Sequence, residues 1–258
     1  MTRTTTTMKT MTSGRRRGFP LVVAAACAGL VLGACGDDDG GDAAAVCEPY
    51  LGVTAQFNGE PDPATVGTLL DEVDANAPED LAESLSVMTS GARQVVETGD
   101  FSALESPEFG EAQAEVDPWM FDECDFDQKA EVSASEYKFE GLPDELDTGN
   151  TAILLTNEGE EMHELAVMRK ADGVTQSWDE ILALPQEEAE QLVVQVGGTF
   201  APRKDTKGMA VVDLVPGEYV VTCFVPTGST MAADGAVTEG TGVPHFMGGM
   251  VHEFTVAD

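Results

Sequence analysis

Pro216-Gly217-Glu218-Tyr219-Val220-Val221-Thr222-Cys223 is a turn running into a strand that ends on a cysteine. Proline next to glycine punctuates the chain, and the β-branched and aromatic residues that follow favour extended backbone. Side chains alternate across a strand. Tyr219, Val221 and Cys223 therefore share one face, and Val220 and Thr222 the other. The first face carries the large apolar residues, so it turns toward a core and takes Cys223 with it.

Similar runs lie on both sides. Upstream, Glu131 to Phe139 alternates loosely, Thr151 to Thr156 is apolar until Asn157, and His163 to Met168 and Met209 to Leu214 follow. Downstream, Val251 to Val256 closes the chain. Short strands at these intervals, with turn residues between them, predict a Greek-key β-sandwich over residues 130–258. Ser177 to Leu192 interrupts the pattern as a helix, with Ser177 as cap and Ile181, Leu182 and Leu184 on its apolar face.

The same half of the chain carries a set of soft-metal ligands. His163 follows Asn157-Glu158-Gly159-Glu160-Glu161-Met162 and shares a strand face with Leu165 and Val167. His245 and Met250 lie in Pro244-His245-Phe246-Met247-Gly248-Gly249-Met250-Val251. Taken singly, each is an ordinary core residue, because buried cysteine and methionine are common and a strand histidine is usually satisfied in place. Taken in order and on core-facing positions, two imidazoles, a thiolate and a weak axial thioether match a type 1 copper site holding one ion. His252, which shares a face with Phe254 and Val256, reads as a rim residue. Met162, Met209 and Met247 read as packing.

On these residues the segment from Val132 to Asp258 resembles a cupredoxin of the plastocyanin branch. Asn157-x-Gly159 with His163 looks like its first ligand strand, Gly217-x-Tyr219-x3-Cys223 its seventh strand, and His245-x4-Met250-Val251 its ligand loop and last strand. The resemblance implies one-electron transfer or copper holding, with His163, Cys223 and His245 as equatorial ligands and Met250 axial. It departs from the family at one point: 21 residues, Phe224 to Pro244, separate Cys223 from His245 where relatives keep only a few. A loop of that length implies a less rigid ligand set. The alternative is a sandwich of the same kind that binds no metal and serves as a surface scaffold.

Residues 47–127 have a different texture. Asp62-Pro63 is a cap with proline at the first helical position, followed by Leu69, Leu70 and Val73. Pro78 opens a second helix with Leu81, Leu85, Met88, Ala92 and Val95 at three-to-four spacing. Ser106-Pro107 opens a third, through Phe109 and Ala112 toward Val116. Cys47 and Cys124 bracket these helices and can pair in an oxidising compartment, so an α+β chain of two domains is expected: a disulfide-linked helical bundle, then the sandwich. Asp122-Glu123-Cys124-Asp125-Phe126-Asp127 lacks the spacing and glycine of a calcium loop and reads as a solvated acidic turn.

Residues 1–34 read as a lipoprotein signal peptide. Arg15-Arg16-Arg17 precedes the apolar stretch Leu21 to Leu32, which is too short for an ordinary transmembrane helix. Leu32-Gly33-Ala34-Cys35 resembles a bacterial lipobox, which makes Cys35 the lipidated first residue of the mature chain. Residues 35–46 form an acidic, glycine-rich tether. Of the five cysteines, Cys27 leaves with the signal, Cys35 takes lipid, Cys47 and Cys124 pair, and Cys223 is left as an unpaired thiol for which metal ligation is a use.

The formal charge is −34, and all five basic residues of the first 34 fall in the signal, leaving 8 basic against 47 acidic residues in the rest. Such a surface excludes nucleic acid and suits a basic protein partner. Gly-x-Ser-x-Gly and His-Glu-x-x-His motifs are absent, and a phosphate-binding glycine loop is too, so the chain reads as a binding protein and not an enzyme. The expected location is the extracytoplasmic face of the cell membrane, reached through the lipid anchor.

Overall fold

In the computed structural model, which describes residues 43–58 and 61–257, eleven strands and six α-helices follow one another in the order helices, sandwich, short helices, sandwich. One sheet pairs β2 (Lys138–Glu140), β1 (Gln128–Ser135), β4 (Gly149–Asn157) and β7 (Lys207–Leu214) in that order. The other runs β3 (Glu145–Leu146), β11 (Val251–Val256), β8 (Gly217–Thr222), β5 (His163–Lys170), β6 (Val193–Ala201). Most pairs are antiparallel, while β1 with β4 and β3 with β11 are parallel. The inner faces meet in a core of Val132, Ile153, Leu155, Leu165, Val167, Val212, Tyr219, Val221 and Phe254. Each such aliphatic side chain contributes about 1.5–3 kcal/mol by leaving water. Tyr219 stacks on Phe254 with ring centroids 5.0 Å apart. Its hydroxyl donates to the Val215 carbonyl at 2.7 Å, which satisfies the buried phenol and closes the Pro216-Gly217 turn.

Four helices, and not three, form the N-terminal region: α1 (Ala43–Phe57), α2 (Pro63–Asn76), α3 (Ala82–Thr98) and α4 (Pro107–Glu123), with a 3-10 turn at Phe101–Glu105 before the last. The expected caps hold two of them. Asp62 accepts the Thr65 N–H at 2.8 Å and Ser106 accepts the Phe109 N–H at 3.2 Å. The second expected helix begins later than Pro78, because Pro78 accepts the Leu81 N–H in a turn and α3 starts after it. The extra helix, α1, takes up the last residues assigned to the tether. Cys47 in α1 is bonded to Cys124 just past α4, 77 residues on.

The helical region and the sandwich pack together in one compact unit. Val46, Val73, Leu85, Val116 and Met120 of the helices share a buried cluster with Ala152, Leu154, Met209 and Val211, the outward residues of β4 and β7. This is why β4 and β7 read as nearly continuous apolar runs: both faces of that sheet are covered. On the far side, α5 (Trp178–Leu182) and α6 (Gln186–Ala189) cover Met168 and Val220 of the second sheet. Ser177 and Glu180 form a reciprocal capping box at the start of α5. The helical reading of Ser177 to Leu192 therefore holds in two short pieces, and the chain turns into β6 at Val193.

The signal segment, Cys27, Cys35 and the tether up to Asp42 lie outside the described residues. None of the described helices is long and apolar enough to cross a membrane.

Candidate metal centre

Strand alternation brings His163, at the start of β5, and Cys223, just past β8, to the same end of the sandwich core. His245 arrives in a 3-10 turn, His245–Gly248, that leads into β11. One ligand atom from each of the three lies within 4.8 Å of the others, and all three residues are fully buried. Cys223 Sγ is 3.4 Å from His245 Nδ1 and accepts the Glu164 N–H at 3.3 Å. The two imidazole rings are 5.1 Å apart. Met250 is fully buried in the same core, and its N–H donates to the His245 carbonyl at 3.1 Å.

Both ring nitrogens of His163 lack a hydrogen-bond partner among the described residues. A buried polar atom without a partner costs about 1–3 kcal/mol, so two on one ring demand a reason. Burial, and then the neighbouring His245, push its pKa from 6.5 down to about 4. The ring is therefore neutral near pH 7 with a lone pair to offer. Burial pushes the Cys223 thiol up to about 11, so it keeps its proton until a metal displaces it. The other unpartnered buried side-chain atoms among the described residues are Trp178 Nε1, a donor only, and Thr222 Oγ1. Neither offers a soft donor, whereas two imidazoles and a thiol around one point fit a single copper ion of the type 1 kind.

The 21-residue insertion is hydrogen-bonded along its stem. Its stem folds back on itself: Thr227 N–H reaches the Val243 carbonyl at 3.0 Å, Gly242 N–H reaches the Thr227 carbonyl at 3.1 Å, and His245 N–H reaches the Val225 carbonyl at 3.0 Å. Beyond the stem, β9 (Thr230–Met231) pairs with β10 (Val237–Thr238). The ribbon thus delivers Cys223 and His245 side by side, as a short loop would. At its tip, a Cβ on Gly235 would collide with the Pro107 ring at the start of α4, so the ribbon leans on the helical layer. These contacts are non-local and invisible in composition.

Four further residues frame the centre. Asn157 is buried; its side chain donates to the carbonyls of Glu161 at 2.7 Å and Ala201 at 2.9 Å and accepts the Gly159 N–H at 2.8 Å. Glu136 accepts the N–H groups of Glu160 and Glu161. Glu161 lies 3.0 Å from His245 Nε2. Tyr137 presents its ring to His245 at 5.6 Å in an edge-on arrangement. It sits at positive φ in the β1–β2 hairpin, a strained conformation for an aromatic residue. In a chain with 47 acidic residues, nothing singled out Glu136 or Glu161 in the sequence. His252 stands apart, against Pro143 and Asp144 at the rim. Met209 is buried under the helices and Met247 is exposed.

No family model matches the sequence, and no curated protein is significantly similar to it. Among solved structures, auracyanin B aligns at 17% identity and a TM-score of 0.33, over 52% of this chain and 91% of that one. Auracyanin A of Chloroflexus aurantiacus, a "blue" copper protein, aligns at 14% and 0.30, over 50% and 97%. Reduced rusticyanin aligns at 16% and 0.29, over 55% and 95%.

Proposed function

We propose that this protein is an extracytoplasmic, lipid-anchored copper protein that passes single electrons or holds the ion, with His163, Cys223 and His245 as equatorial ligands and Met250 as the axial one. The observation that carries the reading is the buried trio itself, with both His163 nitrogens unanswered among the described residues. Copper would supply a one-electron couple, and its bond to a thiolate gives an intense visible band. The protein supplies the rest. Burial excludes water and keeps His163 neutral. The Glu164 N–H steadies the sulfur when it is a thiolate. The two sheets would hold the donors in place whichever oxidation state the ion takes, which would keep the cost of reorganisation low.

The lipid anchor at Cys35 and the location outside the cytoplasm rest on the lipobox and on the Cys47–Cys124 bond, which belongs to an oxidising compartment. A diacylated cysteine with a second, amide-linked chain gives stable anchoring. The acidic surface suits a basic redox partner. Adding Cu(II) to the reduced, chelator-stripped protein should produce a blue colour in the wild type and none in Cys223→Ser. No colour in either would leave the metal-free scaffold as the better reading, and equal colour in both would take Cys223 out of the ligand set.

A further inference from the structure

His245 is fully buried, and a carboxylate covers its outer nitrogen. Glu161 Oε2 lies 3.0 Å from His245 Nε2, while the inner nitrogen, Nδ1, faces Cys223 Sγ at 3.4 Å. The same Oε2 accepts the N–H of Gly228, in the insertion. An oxygen already accepting a backbone N–H acts as an acceptor, so His245 is the donor at Nε2, and in the neutral ring that leaves the lone pair on Nδ1. The Glu161 backbone is fixed from both sides, its carbonyl by Asn157 and its N–H by Glu136. The next residue, Met162, donates its N–H to the Ser229 carbonyl at 2.8 Å, a second tie from the β4–β5 connection to the insertion. Only a fifth of the Glu161 side chain is exposed.

We infer that Glu161 is the positioning residue of the metal centre: its carboxylate fixes the His245 tautomer that presents Nδ1 to the ion, and by holding Gly228 it ties the long insertion to the strand that carries His163. The inference rests on the copper reading for its consequence but not for its geometry, which belongs to the protein without metal. A carboxylate behind a metal-bound imidazole raises the basicity of the ligand and orients the ring. Its negative charge also favours the more highly charged oxidation state of the ion, so it lowers the reduction potential. Through Gly228 it explains how a chain with 21 residues between two ligands keeps them in register.

The test begins with the metal-free wild-type protein, labelled with 15N at histidine. His245 should be the Nε2–H tautomer, and the Gly228 amide should exchange slowly with solvent. Glu161→Leu should lose the tautomer preference, and its Gly228 amide should exchange at least about tenfold faster, as expected when a protecting hydrogen bond is removed. Its Cu(II) affinity should fall by about 10–100-fold. Glu161→Gln keeps an acceptor oxygen without the charge, so it should restore tautomer and protection while the reduction potential shifts upward. An Nδ1–H tautomer in the wild type, a Glu161→Leu protein with unchanged tautomer and exchange, or a Glu161→Gln protein with unchanged potential would overturn the inference. A wild type that shows the expected tautomer and binds no copper would instead overturn the copper reading and leave the positioning of His245 standing.

Discussion

Asp117 and His163 are both buried polar groups whose proton affinity burial has displaced, yet their surroundings differ in kind. Asp117 lies in the seam between α4 and the first sheet. It accepts the Tyr50 hydroxyl at 3.1 Å, the Gln113 amide at 2.9 Å and the Met209 N–H at 2.7 Å. His163 lies at the ligand end of the sandwich and receives nothing at either nitrogen among the described residues. A shifted pKa alone marks both as candidate functional groups. The hydrogen-bond pattern separates them: where the protein answers a buried polar group the role is structural, and a lone pair left open beside a thiol and a second imidazole suits metal ligation.

The largest effect should come from the helical side. Replacing Cys47 and Cys124 with alanine frees a loop of 77 residues. It should cost about 4 kcal/mol in denaturant unfolding on the chain-entropy argument. An equally large loss of copper affinity at temperatures where the variant stays folded would show that the two regions are not separable in this way.

Next in size is a matched pair of substitutions in the metal-free protein. Asp117→Leu strands the Tyr50 hydroxyl, the Gln113 amide and the Met209 N–H, and should cost about 3 kcal/mol. His163→Leu removes two unanswered nitrogens and fills the space with carbon, so it should be close to neutral or stabilising while abolishing copper binding. If His163→Leu were as damaging as Asp117→Leu, the distinction would fail.

The two groups also predict opposite pH trends, smaller in size. Burial raises Asp117 from 3.8 to about 6, so the folded state holds its proton more tightly. Its contribution to stability is full below about 3.8 and is lost as pH rises through about 6. Burial lowers His163 from 6.5 to about 4, so its contribution is present above 6.5 and lost as pH falls toward 4. Unfolding curves for the metal-free wild type, Asp117→Asn and His163→Leu between pH 4 and 7 separate these terms. Asp117→Asn should flatten the first trend and His163→Leu the second.

The ligand end was legible because its determinants are local. Alternation along β5 and β8 turns His163 and Cys223 inward whatever the rest of the chain does. The caps at Asp62 and Ser106 were legible for the same reason. Strand β6 was not: Gly197-Gly198 breaks its apolar pattern, and the glycines are there because β6 passes close to its neighbours, where a Cβ on Gly197 would meet Val212 at 2.5 Å. Helix α1 was hidden by its Pro49 and by the glycine-rich stretch before it. That the helices share a core with β4 and β7 depends on contacts between residues far apart in sequence, as do the stem of the insertion and the grip of Glu161 on His245. No local periodicity records such contacts.

The most direct test is X-ray absorption at the copper edge on protein loaded with one equivalent of copper. Coordination by one sulfur at thiolate distance and two imidazole nitrogens, with the sulfur signal lost in Cys223→Ser, is the expected result. Copper that loads without sulfur coordination, or with a signal unchanged in Cys223→Ser, would contradict the assignment of the buried trio as the metal centre.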